Sequence, residues 1–497
     1  MLQLSDELVA LRDLIQGWAI EYDLDFYPVI FEMVDYKQMS EIAAYGGFPN
    51  RYPHWRFGME YEQLSKSYTY GLSKIYEMVI NNDPGYAYLL LNNQLVDQKL
   101  VMAHVYAHCD FFKNNIYFEH TNRNAVNEFA NHASRIRRLI ERIGLESVES
   151  FIDTCLSLDN LIDIHHPAIR RRPQGGSDRG VERQPEARRL QSKTYMDRYI
   201  NPSEFLTRQQ ERAAKVQATE QRRDPAAPER DLLLFLLERA PLTPWQQQVL
   251  EIVREEAYYF APQAQTKIMN EGWASYWHSK IMTERACEPD EVVDFADHHA
   301  ATMAVQPGQL NPYKLGLELL RDIEERWDQG RFGKAFEECD DAGLRATWDK
   351  ALGLGRDKIF EVRRLYCDVT FIDEFLTPEF CSRHLLYAFD YDRRREQYVI
   401  SSREFEAIKQ KLLFGLTNFG QPVIEAIDAN HANRGELLLM HRHLGVDLDL
   451  PEAQDTLENL CKIWSRPVHI ETIVEEKRMR LSFDGKEHGQ QELGDES

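Results

Sequence analysis

The residues of this 497-residue chain most suited to chemistry sit in the stretch VMAHVYAHCDFFKNN, residues 101–115. His104 and His108 are four residues apart, so on a helix their rings project from one face, one turn apart. They share a stripe with Leu100, Val101, Phe111 and Phe112, which should face a core. Two imidazoles buried side by side repel if protonated and need hydrogen-bond partners if neutral. Two readings follow: each ring is satisfied by a carbonyl or carboxylate, or the pair holds a divalent metal such as zinc, for which neutral imidazole is a preferred ligand. The metal reading meets one difficulty. A zinc hydrolase with this spacing carries a glutamate after the first histidine as general base; here the position is Val105, which has no proton to take.

A second stretch, NEGWASYWHSK (270–280), offers a third ligand. On a helix Glu271 and His278 lie two turns apart on one stripe, and Ala274 and Ser275 between them let another helix approach. The segment resembles the glutamate-bearing helix of zincin-type peptidases, which supplies a carboxylate to two histidines on a separate helix. The expected metal set is therefore His104, His108 and Glu271. His278 is the candidate catalytic acid or base in place of the missing glutamate, and Asp110 is expected to point away. Tyr313 in NPYKLG is a candidate donor to a developing oxyanion, or a packing residue. In YPHWRFG, His54 and Arg56 are candidates for substrate binding, Arg56 as a clamp for a carboxylate or phosphate; a Trp–Arg stack that pins the loop is the other reading. A Gly-rich phosphate loop, a GxSxG elbow and a kinase signature are all missing.

The elements that must position these groups are mainly helical. Apolar residues recur at three- and four-residue spacing over 1–165, the N-terminal half of a core, and again over 231–365, its second half. Between them, 166–230 reads as an Arg/Pro-rich linker with a helical piece near 203–222; residues 169–189 hold seven Arg against three acidic residues. From 366 to 485 the pattern becomes α+β. PVIEAIDAN and ELLLMHRHL read as a strand pair, and RPVHIETIV with RMRLSF as a hairpin in which Val468, Ile470, Thr472 and Val474 share one face, matched by Met479, Leu481 and Phe483. Residues 486–497 read as a disordered acidic tail. The expected fold is a multi-helical, zincin-like body with a small C-terminal α+β domain.

Composition narrows the function. The net charge of −22 argues against general nucleic-acid binding, which draws its affinity from excess Lys and Arg. Hydrophobic content of 43% is globular, yet no run approaches a membrane span. The N-terminus reads as an amphipathic helix, not a signal peptide. Seven cysteines without CxxC spacing read as free thiols in a reducing compartment, hence the cytoplasm.

Five motifs, YPHWRFGMEYEQL, VMAHVYAHCDFFKNN, NEGWASYWHSKI, NPYKLGLELLRDIEERWD and RRLYCDVTFIDEFLT, resemble the stage V sporulation protein R (SpoVR) family, and the resemblance runs from about residue 5 to 480. It implies a bacterial cytoplasmic protein linked to spore cortex formation and stress physiology. It also implies genetic association with a PrkA-type serine kinase and a von Willebrand A-like protein. Valine in the HVxxH position is part of the family pattern, so Val105 is expected to be a family trait. The resemblance assigns no settled activity. A metal-dependent amide hydrolase and a non-catalytic regulatory or scaffold partner of the kinase both stay open.

Overall fold

The computed structural model describes residues 3–69, 77–169, 224–306, 308–392 and 394–494, with isolated positions between 196 and 209. The Arg-rich linker and most of its expected helical piece lie outside the described residues. Contacts divide the chain into two units, Met1–Val148 with Tyr258–Gly420, and Glu149–Ala257 with Gln421–Ser497. The division thus falls at 420, not at the expected boundary of 366.

In chain order the described elements begin with α1 (Asp6–Glu21), β1 (Val29–Val34), α2 (Tyr36–Ala44), α3 (Trp55–Thr69), β2 (Glu77–Ile80) and β3 (Gly85–Leu90). Next come α4 (Leu95–Asn114), α5 (Ala125–Ile143), α6 (Leu145–Leu156), α7 (Leu232–Arg239), α8 (Pro244–Gln265) and α9 (Lys267–Ile281). They continue with α10 (Val292–Thr302), α11 (Pro312–Asp328), α12 (Gly355–Leu365), α13 (Asp368–Phe375), β4 (Ala388–Asp392), β5 (Gln397–Ser402) and α14 (Phe405–Leu416). The chain closes with β6 (Ile424–His431), β7 (Glu436–His441), α15 (Leu450–Trp464), β8 (Val468–Val474), β9 (Lys477–Phe483) and β10 (His488–Glu492). Short helical turns between these carry no label.

The first unit is built around α4 and α9, both buried on nearly all sides. A helix that is apolar all round belongs inside a core. Val101, Val105, Phe111, Trp273, Trp277, Leu317 and Phe371 are all wholly buried there. The N-terminus of α9 is not capped by the side chain that precedes it. Thr266 before it bonds back to the Pro262 carbonyl (2.7 Å), and Asp368, on α13, accepts from Ile268 N (2.8 Å) and Met269 N (2.9 Å) instead. Its two carboxyl oxygens satisfy two of the orphan donors at the start of the helix. Asp110 of α4 accepts from the Trp273 indole at 2.8 Å, which ties α4 to α9. Where α9 meets α11, Gly272 lies on Gly316: a Cβ at Gly272 would be 2.8 Å from the Leu317 nitrogen and closer still to Gly316. Only glycine lets the backbones come this near.

The first 165 residues are not wholly helical as expected. They contain a three-stranded sheet in the order β1-β3-β2, with β1 parallel and β2 antiparallel to β3. Four of the six β3 residues are consecutive and buried, and a short apolar run without alternation reads equally as strand or buried helix.

The second unit holds a five-stranded sheet, β10-β9-β8-β7-β6. The β6–β7 pair and the β8–β9 hairpin form as expected, the latter with Val468 opposite Phe483, Ile470 opposite Leu481 and Thr472 opposite Met479. Because β7 and β8 are parallel, α15 crosses between them. Its Trp464 donates to the Gly435 carbonyl (2.9 Å) and stacks on Phe235 of α7. Residues 488–492, expected to be disordered tail, form β10 against β9. An exposed edge strand is held by backbone bonds, which the polar sequence HGQQE does not announce.

Candidate metal centre

Helix α4 presents His104 and His108 inward, their rings 4.5 Å apart and almost perpendicular. Helix α9 brings Glu271 to them: its Oε2 lies 3.6 Å from His104 Nε2 and 3.5 Å from His108 Nε2. All three residues are buried, and one ligand atom from each falls within 4.8 Å of the others. Ligands bonded at 2.0–2.1 Å around a tetrahedral ion are ~3.3 Å apart, so the donor set is spaced for one ion. Hydrogen bonds between charged partners are shorter, about 2.7–2.9 Å, and Glu271 Oε2 is buried without one. Its other oxygen is taken by Lys267 at 2.6 Å.

The far nitrogens are held too. His108 Nδ1 is 2.9 Å from Asn270 Oδ1, so it carries the proton and donates; Nε2 is left with its lone pair toward Glu271. His104 Nδ1 meets His278 Nδ1 at 2.8 Å, and His278 Nε2 faces His299 Nδ1 of α10 at 3.4 Å. Outer partners of this kind fix tautomer and ring orientation in metal sites. Electrostatics favour the same states. Burial, then the neighbouring His104, lowers His108 to about 4. Burial, His104 and His299 hold His278 well below its usual value. Burial alone would raise Glu271, but His104, His108 and Lys267 outweigh it and keep the carboxyl far below the usual range. A neutral His108 and an ionised Glu271 are the states in which these two groups bind a divalent cation.

Of the sequence-derived candidates, the structure brings together His104, His108, Glu271 and His278. His278 touches His104 and not the shared centre, which is the geometry of a positioning residue. Tyr313, second residue of α11, stacks beside His104 with ring centroids 6.3 Å apart, and the Lys267 ammonium is 6.0 Å from its ring. His54 and Arg56 are not in the donor cluster. The His54 ring packs on Trp55 and Phe57 at the start of α3, where Arg56 is exposed. The buried arginine beside YPHWRFG is Arg51, in the loop before α3, over the rings of Tyr52, Phe57 and Phe129. Asp110 points away from the centre, to Trp273 and the Asp25 amide. Asn270 and Lys267 went unnoticed in the sequence; their positions next to Glu271 and one turn before it were the available signal.

Fold and site together define a mainly helical protein with a buried two-histidine, one-carboxylate donor set shared between two core helices. The family model described as SpoVR like protein matches residues 3–421, and the chain belongs to that family. It is 29% identical over 484 residues to the uncharacterized protein YcgB of Escherichia coli (strain K12), covering 93% of this chain and 90% of that one. No solved structure matches. Among the described residues no helix is long and apolar enough to cross a membrane.

Proposed function

We propose that His104, His108 and Glu271 hold a divalent metal, zinc by donor type, in a zincin-like arrangement, and that the protein is a divergent metal-dependent amide hydrolase. The observation that carries this is Glu271 Oε2, buried without a hydrogen bond at 3.5 Å and 3.6 Å from two oriented imidazole nitrogens. A bound ion supplies Lewis acidity. The chain's own part is to orient the donors through His278 and Asn270, and to offer Tyr313 and Lys267 at the edge of the site as groups for a polarised carbonyl. Peptides of the cell envelope, as in the spore cortex, are the substrate class the family's name suggests. A cytoplasmic location fits seven free cysteines and restricts those substrates to precursors or recycled fragments.

One observation favours a second reading. Val105 is wholly buried at the position of the usual base, and His278 is engaged with His104. With no base, the same centre is a structural metal site, and the protein a regulatory or scaffold partner of a PrkA-type serine kinase and a von Willebrand A-like protein.

Elemental analysis of protein purified without a metal-affinity tag tests both. About one ion per chain, lost in His104→Ala and Glu271→Ala, is expected, because these ligands bind deprotonated and together. X-ray absorption of the loaded protein separates the two readings: three protein ligands with an open position mark an enzyme, four protein ligands a structural site. Folded wild type that takes up no zinc overturns the proposal.

A further inference from the structure

A cavity of about 420 Å³ opens in the first unit, lined by the start of α11, the segment 384–389 and one face of α14. None of its lining residues belongs to the donor cluster. Its walls are apolar, with Leu315, Leu386, Ile408 and Leu412 among them. Its rim leaves large apolar side chains in water: Val305 is 53% exposed and Leu385 67%. The volume, and apolar walls with polar groups among them, are those of a small-molecule site.

Beside the neutral Gln306, Gln309, Asn311 and Tyr387, it is lined by two lysines, a carboxylate and an imidazole: Lys314, Lys411, Glu318 and His384. Two are already engaged. Glu318 pairs with Arg321 at 3.3 Å, and the Lys411 ammonium binds the Phe389 carbonyl and the Asp390 carboxylate. Lys314 differs: its backbone amide bonds Asn311 Oδ1 at 3.1 Å, while its ammonium makes no ion pair among the described residues. His384 stacks on Phe380 at 4.3 Å, and burial lowers its pKa, so it is a neutral donor. In a chain of net charge −22, with Glu318 one turn along engaged by Arg321, Lys314 sets a positive charge on an apolar wall without an ion pair among the described residues. An anion beside it recovers attraction that partial burial strengthens.

We propose that this cavity binds a small amphipathic carboxylate, its head on Lys314 and His384 and its apolar body on Leu315, Leu386, Ile408 and Leu412. Charge complementarity selects the head, and the apolar walls select the body.

Calorimetric titration of the full chain with dodecanoate, below its micelle concentration, tests this against dodecanol and dodecylamine. Saturable binding of dodecanoate at one site is expected, with both other compounds at least roughly tenfold weaker, a difference of about one charge-assisted contact. Lys314→Met should lose about the same factor, and Lys314→Arg should keep the affinity. Leu412→Glu should abolish binding, with circular dichroism verifying the fold. Glu271→Gln should bind dodecanoate as wild type does, so this result stands apart from the metal proposal. Equal binding of dodecanoate and dodecanol, unchanged affinity in Lys314→Met, or no saturable binding overturns the inference; tight binding only of a peptide with an acidic C-terminus assigns the cavity to a protein partner instead.

Discussion

At the residue scale, the centre depends on groups that do not themselves touch the shared point. Asn270 and His278 hold the ring nitrogens that face away from it. Removing such an outer partner typically weakens metal affinity roughly 10–100-fold. Asn270→Ala and His278→Ala should therefore bind one zinc with affinity reduced by about that factor, as read by chelator competition. If His278→Ala keeps wild-type affinity but loses hydrolysis, the histidine is a base and not a positioning residue. Asp368 makes a separate prediction. Burial, resisted by the amides of Ile268 and Met269, pushes its carboxyl up to about 7 from an ordinary value near 3.8. Between those values the folded chain keeps a proton that the unfolded chain releases, so this group's contribution to stability falls as pH rises. One such group sets a slope of up to about 1.4 kcal/mol per pH unit. Urea unfolding at pH 5 and pH 7 should show a flatter dependence in Asp368→Asn than in wild type, and an unchanged slope would rule the residue out.

At the scale of elements, the carboxylate is delivered by a helix crossing without side chains. Gly272 follows Glu271 directly, and an added Cβ there meets the backbone of Gly316 and Leu317. Gly272→Ala must push α9 from α11, and overpacking of this kind costs about 1–3 kcal/mol. It should also lower metal content, since Glu271 moves with its helix. Gly17 in α1 is the control: nothing lies within 4 Å of a Cβ there, so Gly17→Ala should stabilise by about 0.5–1 kcal/mol. Denaturant melts of the two variants should move in opposite directions, and a shift in the same direction would show that the crossing is not tight.

For the whole molecule, the C-terminal sheet is not a separable addition. Its unit includes residues 149–257, where Leu232, Leu233, Phe235 and Leu236 of α7 are buried and the Glu229 amide bonds the Ala426 carbonyl at 3.0 Å. Ending the chain after Gly420 strips the cover from α7 and exposes an apolar patch of the kind that drives aggregation. A cut after Gly485 removes residues 486–497, which include β10, all of it exposed. Light scattering should find the first truncation aggregated and the second monodisperse; a well-behaved first truncation would mean that α7 is covered by other means.

The sequence by itself determined what local periodicity and residue chemistry can encode. It marked His104 and His108 as one turn of a buried stripe and Glu271 as a carboxylate on a close-packed helix. It also set the pairing of β8 with β9, because a period-two pattern admits one register when one face is buried. It did not reveal β1–β3, whose short apolar runs lack a period, nor β10, whose bonds are all backbone. Only the tertiary structure decided that helices 162 residues apart share a centre, and that Asp368, 100 residues from Ile268, caps the second of them. It also decided that Arg51, and not Arg56, is turned inward. These outcomes rest on which buried surfaces fit one another, and close packing between distant segments leaves no period in either one.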